Sequence, residues 1–479
     1  MTTFLQSANT PFSELENVFK AQQARVPALA ASTANERIRK LKRLAGVLMA
    51  HRTAIQEALF ADFHKPAMET DVIEIFPLLV EIKHTSRRLH QWMRPKAVDT
   101  PFPLLGTSSQ IRYEPKGAVL IIAPWNFPLQ LALEPLISAV AAGNAVIVKP
   151  SEFTPHTSAI MKKMLLEVFP ENEVAVVEGD AGVAQQLLTM KFDHIFFTGS
   201  PEVGKLVMKA AAEHLTSVTL ELGGKSPVII DESADIETAA RRVVAGKLSN
   251  CGQICVAPDY ALVHESKQAD FLTACAKYIN AMYGATDEAR ITGDYTRIIN
   301  SRHTARLKGL LEDALEKGAV SEYPGGQIQE AENYFPPVLL TNVTPAMRVA
   351  NEEIFGPILP VHTFSKLDEA IQYINKKEKP LALYIFSGSR RNVERILNET
   401  SAGGVTINDV AMHFYNYNLP FGGVNNSGIG KGHGEFAFHE FSNAKAVLRQ
   451  WAPFSGAEMM YPPFNSRKRK LVSWLMKYL

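Results

Sequence analysis

Between Gly117 and Leu222 the sequence alternates short apolar runs with longer helix-forming segments. The apolar runs are GAVLIIAP, NAVIVKP, VAVVEG, DHIFFTG and VTLELGG. Strands that are apolar throughout must be covered on both faces, and intervening helices are what parallel strand order requires. The pattern therefore predicts a doubly wound, Rossmann-like α/β domain, whose ligands would bind at the carboxyl ends of its strands.

A second alternating series follows, from about residue 226 to 410. Its strand candidates are SPVIID, YALVHE, PVLLTN, LPVHTF, LALYIFS and GVTIND. Before both series, residues 14 to 95 carry apolar residues at helical spacing. No low-complexity linker separates the two α/β series, so we expect them to pack closely, with a ligand-binding cleft between them.

The charge balance and the cysteine count restrict the partners and the compartment. The chain has 50 basic and 49 acidic residues among 479, so no overall field favours nucleic acid or an anionic membrane. The first residues lack a basic segment followed by an apolar one, and no apolar run is long enough to span a bilayer. With only three cysteines, these features predict a cytoplasmic protein without structural disulfides.

Two glycine-containing turns are candidate phosphate-binding sites. The Gly-x-Gly-x-x-Gly fingerprint is absent after the first strand, where APWNFP stands. The later segment GSPEVGK places Gly199 and Gly204 around a helix N-terminus, which can hold an anion. It also resembles a phosphate-binding P-loop, but Leu206 supplies no hydroxyl for Mg²⁺, and plain tight packing would explain the same glycines.

Lys149 and Glu152 follow another predicted strand, in VIVKPSE. At the carboxyl end of a strand they could hold the hydroxyls of an adenosine ribose, and the carboxylate would repel a 2′-phosphate. This interpretation favours NAD over NADP. An exposed ion pair is the alternative.

The segment SNCGQICVAPDY contains Cys251 and Cys255. Zinc needs about four ligands and no second Cys or His pair follows, so no metal is predicted. Cys275 lies in a helical segment and reads as a buried thiol. Cys255 lies in a polar turn, where a thiolate could be accessible as a nucleophile and backbone amides could stabilise an oxyanion. From the residues alone, nucleophile and buried thiol remain open.

Five motifs in order resemble the aldehyde dehydrogenase superfamily: APWNFP at 123–128, LELGGKSP at 220–227, NCGQICVAPDY at 250–260, EEIFGPILP at 352–360 and LPFGG at 419–423. HKPAMET, WMRPKAV, GGVTINDV with His413, and YPP are similar to the class 3 branch, which includes fatty, aromatic and coniferyl aldehyde dehydrogenases. The resemblance implies an NAD(P)-dependent oxidation of a long-chain or aromatic aldehyde to a carboxylic acid. A CoA-acylating relative and a non-catalytic protein on the same fold are the alternatives.

The resemblance implies a catalytic set. Cys255 matches the nucleophile, Glu221 the base that activates water for thioester hydrolysis, and Asn126 the amide that helps bind the oxyanion. Cys251 matches a position without a catalytic role. Phe127 replaces a frequent tyrosine and, with Phe421, is expected to line a substrate tunnel.

The resemblance also implies a set of residues that contact NAD or NADP. Lys149 and Glu152 match the adenosine ribose contacts, and Glu353 and Phe355 match residues that position the nicotinamide half. The full predicted cofactor set is Lys149, Glu152, Gly199, Ser200, Gly204, Leu222, Glu353 and Phe355.

The implied organisation has three parts and a homodimer. Residues 1–95 and 114–222 form a dinucleotide-binding domain, 223–410 a catalytic domain, and 96–113 with 411–479 a small β oligomerisation flap and C-terminal tail. The tail, NSRKRKLVSWLMKYL, joins basic residues to a short apolar run. It is predicted to cap the tunnel entrance or to dock as a terminal helix; membrane contact is not expected.

Overall fold

The computed structural model describes residues 9–284, 293–323, 326–456, 458 and 461–478. The opening segment is helical, as predicted, and is followed by two strands. Its elements are α1 (Phe12–Ala30), α2 (Ala34–Ala50), α3 (Arg52–Phe63), α4 (Ala67–Thr70), a π-helical turn (Asp71–Ile75), α5 (Phe76–Trp92), β1 (Lys96–Val98) and β2 (Thr107–Pro115). Helix α2 begins with a capping box, in which the Thr33 side chain accepts from the Glu36 backbone N–H and the Glu36 side chain accepts from the Thr33 backbone N–H.

The first α/β series forms the predicted parallel sheet. Its elements are β3 (Ala118–Ile122), α6 (Gln130–Ala142), β4 (Ala145–Lys149), α7 (Pro155–Val168), β5 (Val174–Val176), α8 (Ala181–Leu188), β6 (His194–Gly199), α9 (Pro201–Ala212) and β7 (Ser217–Leu222). Strands β7, β6, β3, β4 and β5 are adjacent in that order and parallel. Helices α2, α5, α6 and α7 cover one face, and α1 with α9 covers the other, which explains why the strands are apolar throughout.

The second series forms a separate seven-stranded sheet. Its elements are β8 (Pro227–Ile230), α10 (Ile236–Leu248), β9 (Tyr260–His264), α11 (Gln268–Tyr283), α12 (Ser301–Glu316), β10 (Val320–Tyr323), β11 (Val338–Thr341), α13 (Arg348–Asn351), β12 (Ile358–Phe364), α14 (Leu367–Asn375), β13 (Ala382–Phe386), α15 (Arg390–Glu399) and β14 (Gly404–Ile407). The strand order is β10-β11-β12-β9-β8-β13-β14, and only β10 runs antiparallel to its neighbour.

The C-terminal part of the chain returns to the first sheet. Its elements are β15 (Gly428–Ile429), α16 (Gly434–Glu440), β16 (Ser442–Gln450) and α17 (Ser466–Tyr478). Strand β15 pairs antiparallel with β7, with Gly428 opposite Glu221, and so becomes the sixth strand of that sheet. Strand β16 pairs with β2 in a three-stranded sheet that also contains β1.

The predicted α/β fold class is thus confirmed, with two mostly parallel sheets and a small antiparallel one. The exact domain boundaries and the oligomerisation role of the small sheet stay predictions. The terminal helix α17 forms, but none of its described residues is buried, and Trp474 is 56% exposed. Within the described ranges, no helix is both long and apolar enough to cross a membrane.

Candidate active site

Cys255 follows a tight turn at the end of α10. In this turn Asn250 and Cys251 adopt left-handed backbone conformations, with φ of 51° and 54°. Gly252 has φ of 73°, and a Cβ on it would lie 2.4 Å from the carbonyl oxygen of Gly356. The turn therefore needs glycine at this point, and it delivers Cys255 to the junction of the two α/β units.

Two cavities meet at Cys255. The first has a volume of about 350 Å³ and the second about 980 Å³. The residues that line both are Leu131, Thr198, Glu221, Leu222 and Cys255. The predicted nucleophile and the predicted base thus lie at the boundary between the two spaces, where two different ligands could meet.

Glu221 is the penultimate residue of β7, and its carboxylate is buried. Neither of its oxygens has a hydrogen-bond partner among the described residues, and burial raises its pKa well above the ordinary value. The charge of Lys431 opposes this shift, whereas Glu134 and Glu440 add to it. A carboxylate with free oxygens and a raised pKa is suited to accept a proton near neutral pH.

Asn126 directs its side-chain amide at the nucleophile turn. Its Nδ2 donates to the carbonyl oxygen of Gln253 at 3.0 Å, and the residue lines the second cavity. Its own carbonyl accepts from Lys65 Nζ at 3.1 Å and from Asn250 Nδ2 at 3.0 Å. The predicted oxyanion-binding amide therefore lies close to the turn that precedes Cys255, and the hydrogen bonds to the Asn126 carbonyl fix its backbone.

The segment HKPAMET supplies supports that the sequence analysis assigned no role. Lys65 and Glu74 form a fully buried ion pair, with Nζ and Oε1 2.5 Å apart. Glu69 accepts from the Asn250 backbone N–H at 2.5 Å and from the Thr296 hydroxyl at 2.6 Å. The motif thus supports both the loop that carries Asn126 and the turn before Cys255. In the sequence, the one sign of this role was the similarity of the motif to the class 3 branch.

The second cavity contains most of the predicted cofactor residues. Ser200 caps α9 by accepting from the Val203 backbone N–H, and Pro201 is the first residue of the helix. Gly199 has no space for a side chain, because a Cβ would lie 2.5 Å from the Phe197 ring. The predicted residues that line this cavity are Gly199, Ser200, Leu222, Glu353 and Phe355.

The close approaches around this cavity fit a bound dinucleotide. Gly223 leaves room for Glu353, since a Cβ there would lie 2.2 Å from Glu353 Oε2. Burial, with the charge of Asp259, raises the pKa of Glu353 to about 8. Trp125 meets the Phe355 ring edge to face at 5.4 Å. The cavity thus combines a helix N-terminus for phosphate with aromatic and carboxylate groups near Cys255.

Four predicted or considered residues lie outside the lining of both cavities. Lys149 and Glu152 form an ion pair of 3.0 Å, and Gly204 packs under Leu222, where a Cβ would lie 2.8 Å from a methyl carbon. Lys205, the lysine of the P-loop-like segment, is exposed on α9. The structure therefore does not bring that lysine to a phosphate-binding position.

The first cavity is lined mainly by apolar and aromatic side chains. They include both predicted tunnel residues, Phe127 and Phe421, together with Phe414 and Tyr415. Tyr417 instead donates from its hydroxyl to the carbonyl of Pro77. Sequence analysis missed the polar groups of this cavity, among them Glu134 and His433, which come from distant segments.

The three thiols differ in accessibility. Cys251 and Cys275 are fully buried, and Cys255 is partly exposed. Burial raises the pKa of Cys255 to about 12, helped by Glu353 and Glu221, and burial raises the pKa of Cys251 to about 12 as well. The accessible thiol is therefore Cys255. Within the described part of the chain, no group of three His, Cys, Asp or Glu residues is placed to hold a metal ion.

Comparison with known proteins places this arrangement in a family. The profile of the Aldehyde dehydrogenase family matches residues 3–447. The chain belongs to the aldehyde dehydrogenase family. It is 45% identical over 429 residues to the 4,4'-diaponeurosporen-aldehyde dehydrogenase of Staphylococcus aureus, and the alignment covers 89% of this chain and 92% of that one. It is 43% identical over 469 residues to aldehyde dehydrogenase family 3 member B1 of Rattus norvegicus, covering 98% and 97%.

A solved structure shows the same architecture. The substrate-bound state of Staphylococcus aureus AldH superposes with a TM-score of 0.91 at 42% identity, covering 96% of this chain and 99% of that one. The resemblance to this superfamily and its class 3 branch is thus confirmed. The enzyme is an NAD(P)-dependent aldehyde dehydrogenase, and its substrates are small-molecule aldehydes.

Proposed function

We propose that Cys255, Glu221 and Asn126 carry out the oxidation, and that the aldehyde enters through the first cavity. The observation that carries this proposal is the position of Cys255 and Glu221 on the wall shared by both cavities. An aldehyde in the first cavity and a nicotinamide in the second would then meet at one thiol. The other cofactor contacts are proposed as predicted, including Lys149 and Glu152, which lie outside the cavity lining.

The proposed chemistry follows from the side chains. Cys255 gives up its thiol proton to a water molecule in the cavity as its sulfur adds to the aldehyde carbon, and the resulting oxyanion is stabilised by the Asn126 amide and a backbone N–H. NAD or NADP, when bound, supplies the hydride acceptor. Glu221 then removes a proton from a water molecule, which attacks the thioester on Cys255 and releases the carboxylic acid. The raised pKa of Glu221 suits it to that step.

The first cavity favours aldehydes with an extended apolar chain or an aromatic ring. Phe127, Phe414 and Phe421 give it an aromatic wall, and the Staphylococcus aureus relative is named for 4,4'-diaponeurosporen-aldehyde. Burial of each methylene contributes about 0.8 kcal/mol, so kcat/KM is expected to rise about four-fold per CH₂ until the cavity is full. Rates that stay flat from short to long unbranched aldehydes would contradict this substrate class.

Stopped-flow detection of NADH tests the catalytic assignments. Cys255→Ala is expected to abolish NADH formation, whereas Glu221→Gln is expected to give a first turnover and then stall, since only deacylation is lost. Cys275→Ala, which removes a buried thiol in α11, is the control and keeps wild-type turnover. Full steady-state activity in Cys255→Ala or Glu221→Gln would overturn the assignments. Added CoA leaves the wild-type rate unchanged, in contrast to an acylating enzyme.

A homodimer in the cytoplasm is proposed as well. The small sheet of β1, β2 and β16 carries exposed apolar side chains, including Leu448 at 53% exposure, with Trp451 at 66% just beyond it. Apolar exposure at the edge of a sheet is typical of an interface between subunits. The proposal of a cytoplasmic location is supported by the free cysteines and the balanced charge. Light scattering of the purified protein, with Leu448→Glu as the variant, tests the dimer.

A further inference from the structure

The loop of residues 421–432 packs against the carboxylate of Glu221. Its two ends are joined by backbone hydrogen bonds in both directions between Phe421 and Gly432. Between these ends, strand β15 pairs with β7, the strand that contains Glu221. Lys431 lies at one end of the loop, is partly buried and reaches back to the other end. The proposed chemistry assigns no role to this lysine.

The ammonium of Lys431 is held by two backbone carbonyls. Its Nζ donates to the carbonyl oxygen of Gly422 at 2.6 Å and to that of Gly423 at 3.1 Å. Its backbone N–H donates to Glu440 Oε1 at 3.3 Å. Ordering a lysine side chain costs much conformational entropy, and these hydrogen bonds offset that cost. The positive charge therefore has a defined position in the loop.

Gly422 separates this lysine from the predicted base. A Cβ on Gly422 would lie 3.0 Å from Glu221 Oε1 and 3.2 Å from Lys431 Cδ, so the two side chains approach the same residue. Neither oxygen of Glu221 has a hydrogen-bond partner among the described residues. The ammonium thus acts on the carboxylate through space, and it leaves the oxygens free to accept a proton from water.

The charges around Glu221 oppose one another. Burial raises the pKa of Glu221 well above its usual value, and the charge of Lys431 lowers it. Glu134 in α6 and Glu440 in α16 add to the rise. The thiol of Cys255 borders the same two cavities as the carboxylate. The other titratable groups around Glu134, Glu440 and Lys431 are Lys116 after β2, His194 in β6, His439 in α16, and His433, which lies 2.9 Å from Glu134.

We propose that Lys431 is a positioning residue for the hydrolytic base: its ammonium, fixed on Gly422 and Gly423, closes the loop over Glu221 and keeps that carboxylate ionised. The proposal rests on the proposed role of Glu221 as the base. Lys431 exchanges no proton in the reaction. Burial alone favours the neutral acid, which accepts no proton from water, and the nearby cation favours the carboxylate. Lys431 thereby lowers the pH at which the enzyme can still hydrolyse its thioester.

The test is the pH profile of kcat for Lys431→Met, which keeps the apolar stem and removes the charge. Loss of the cation raises the pKa of Glu221 further, so the acid limb is expected to move up by about one pH unit. On that limb kcat falls about ten-fold, whereas the plateau at higher pH and the rate of the first NADH burst stay at their wild-type values. Lys431→Gln, which is neutral but can still donate, is expected to show the same shift, and Lys431→Arg to keep the wild-type limb.

The chain offers an opposite variant and a matched control. Glu440→Gln removes a carboxylate and keeps an acceptor for the Thr219 hydroxyl and the Lys431 N–H, so the acid limb is expected to move to lower pH. Lys277→Met removes a lysine of α11 whose ion pair with Glu237 is exposed, and is expected to keep the wild-type profile.

Three results would overturn the proposal. An unmoved acid limb in Lys431→Met and Lys431→Gln would mean that the charge does not act on the base. Equal shifts in Lys431→Arg and Lys431→Met would assign the effect to packing, and a kcat lowered equally at every pH would leave a structural role only. Glu221→Gln separates the two proposals. If it loses the limb while Lys431→Met does not move it, only the role of Lys431 fails; if it keeps the limb, the proposed base fails and the role of Lys431 with it.

Discussion

Replacement of Lys65 by methionine tests how the loop that carries Asn126 is supported. Lys65 and Glu74 are both fully buried and 2.5 Å apart. Lys65 also donates to the carbonyl of Asn126, and its ammonium lies 4.5 Å from the centre of the Phe127 ring. Lys65→Met keeps the apolar stem and removes the charge, so Glu74 is left as a buried carboxylate without a counterion.

The magnitude follows from what remains around Glu74. Removing one partner of a buried ion pair usually costs about 3–5 kcal/mol. Glu74 keeps the backbone N–H groups of Leu129 and Gln130, which donate to its other oxygen at 3.2 and 2.9 Å. We therefore expect the lower end, about 3 kcal/mol. The double variant Lys65→Met/Glu74→Gln removes both charges and keeps an acceptor, and should recover at least about 1 kcal/mol of that loss.

The assay is guanidinium denaturation followed by tryptophan fluorescence at a fixed protein concentration. The chain offers a matched control in Lys308→Met, because Lys308 and Glu330 are also 2.5 Å apart but are 40% and 57% exposed. Solvent screens that pair, so no shift of the midpoint is expected. A wild-type midpoint in Lys65→Met, or a double variant whose loss equals the sum of the single losses, would refute the reasoning.

Three further predictions concern the reaction site. Gly223→Ala should raise the KM for NAD at least about ten-fold, because a Cβ 2.2 Å from Glu353 displaces that carboxylate; unchanged NADH binding in a fluorescence titration would contradict this. The raised pKa of Glu221 predicts that kcat falls as pH falls through it, since the protonated acid accepts no proton from water; Glu221→Gln should lose this dependence. Iodoacetamide should label Cys255 in the native enzyme and leave the fully buried Cys251 unlabelled; peptide mass spectrometry decides, and labelling of Cys251 would contradict its burial.

The sequence predicted the strands well because each is a short apolar run bounded by turn residues, and GAVLIIAP and DHIFFTG contain β3 and β6. The reactive cysteine was predicted from its sequence motif alone, because burial, cavity position and thiol accessibility are properties of the folded chain. Side-chain partners could not be predicted in the same way. Glu134 lies in α6 and His433 directly precedes α16, far away in the sequence, and no local spacing relates them.

The pairing of Gly428 with Glu221 has a consequence for how the protein is made. Residues 421–437 close the cavity around Glu221, and they leave the ribosome long after Cys255 does. Until these residues pack against the sheet, water can reach the Glu221 carboxylate, and burial does not raise its pKa. A nascent or truncated chain therefore carries a thiol but no tuned base, and the enzyme becomes hydrolytically competent only when synthesis is nearly finished.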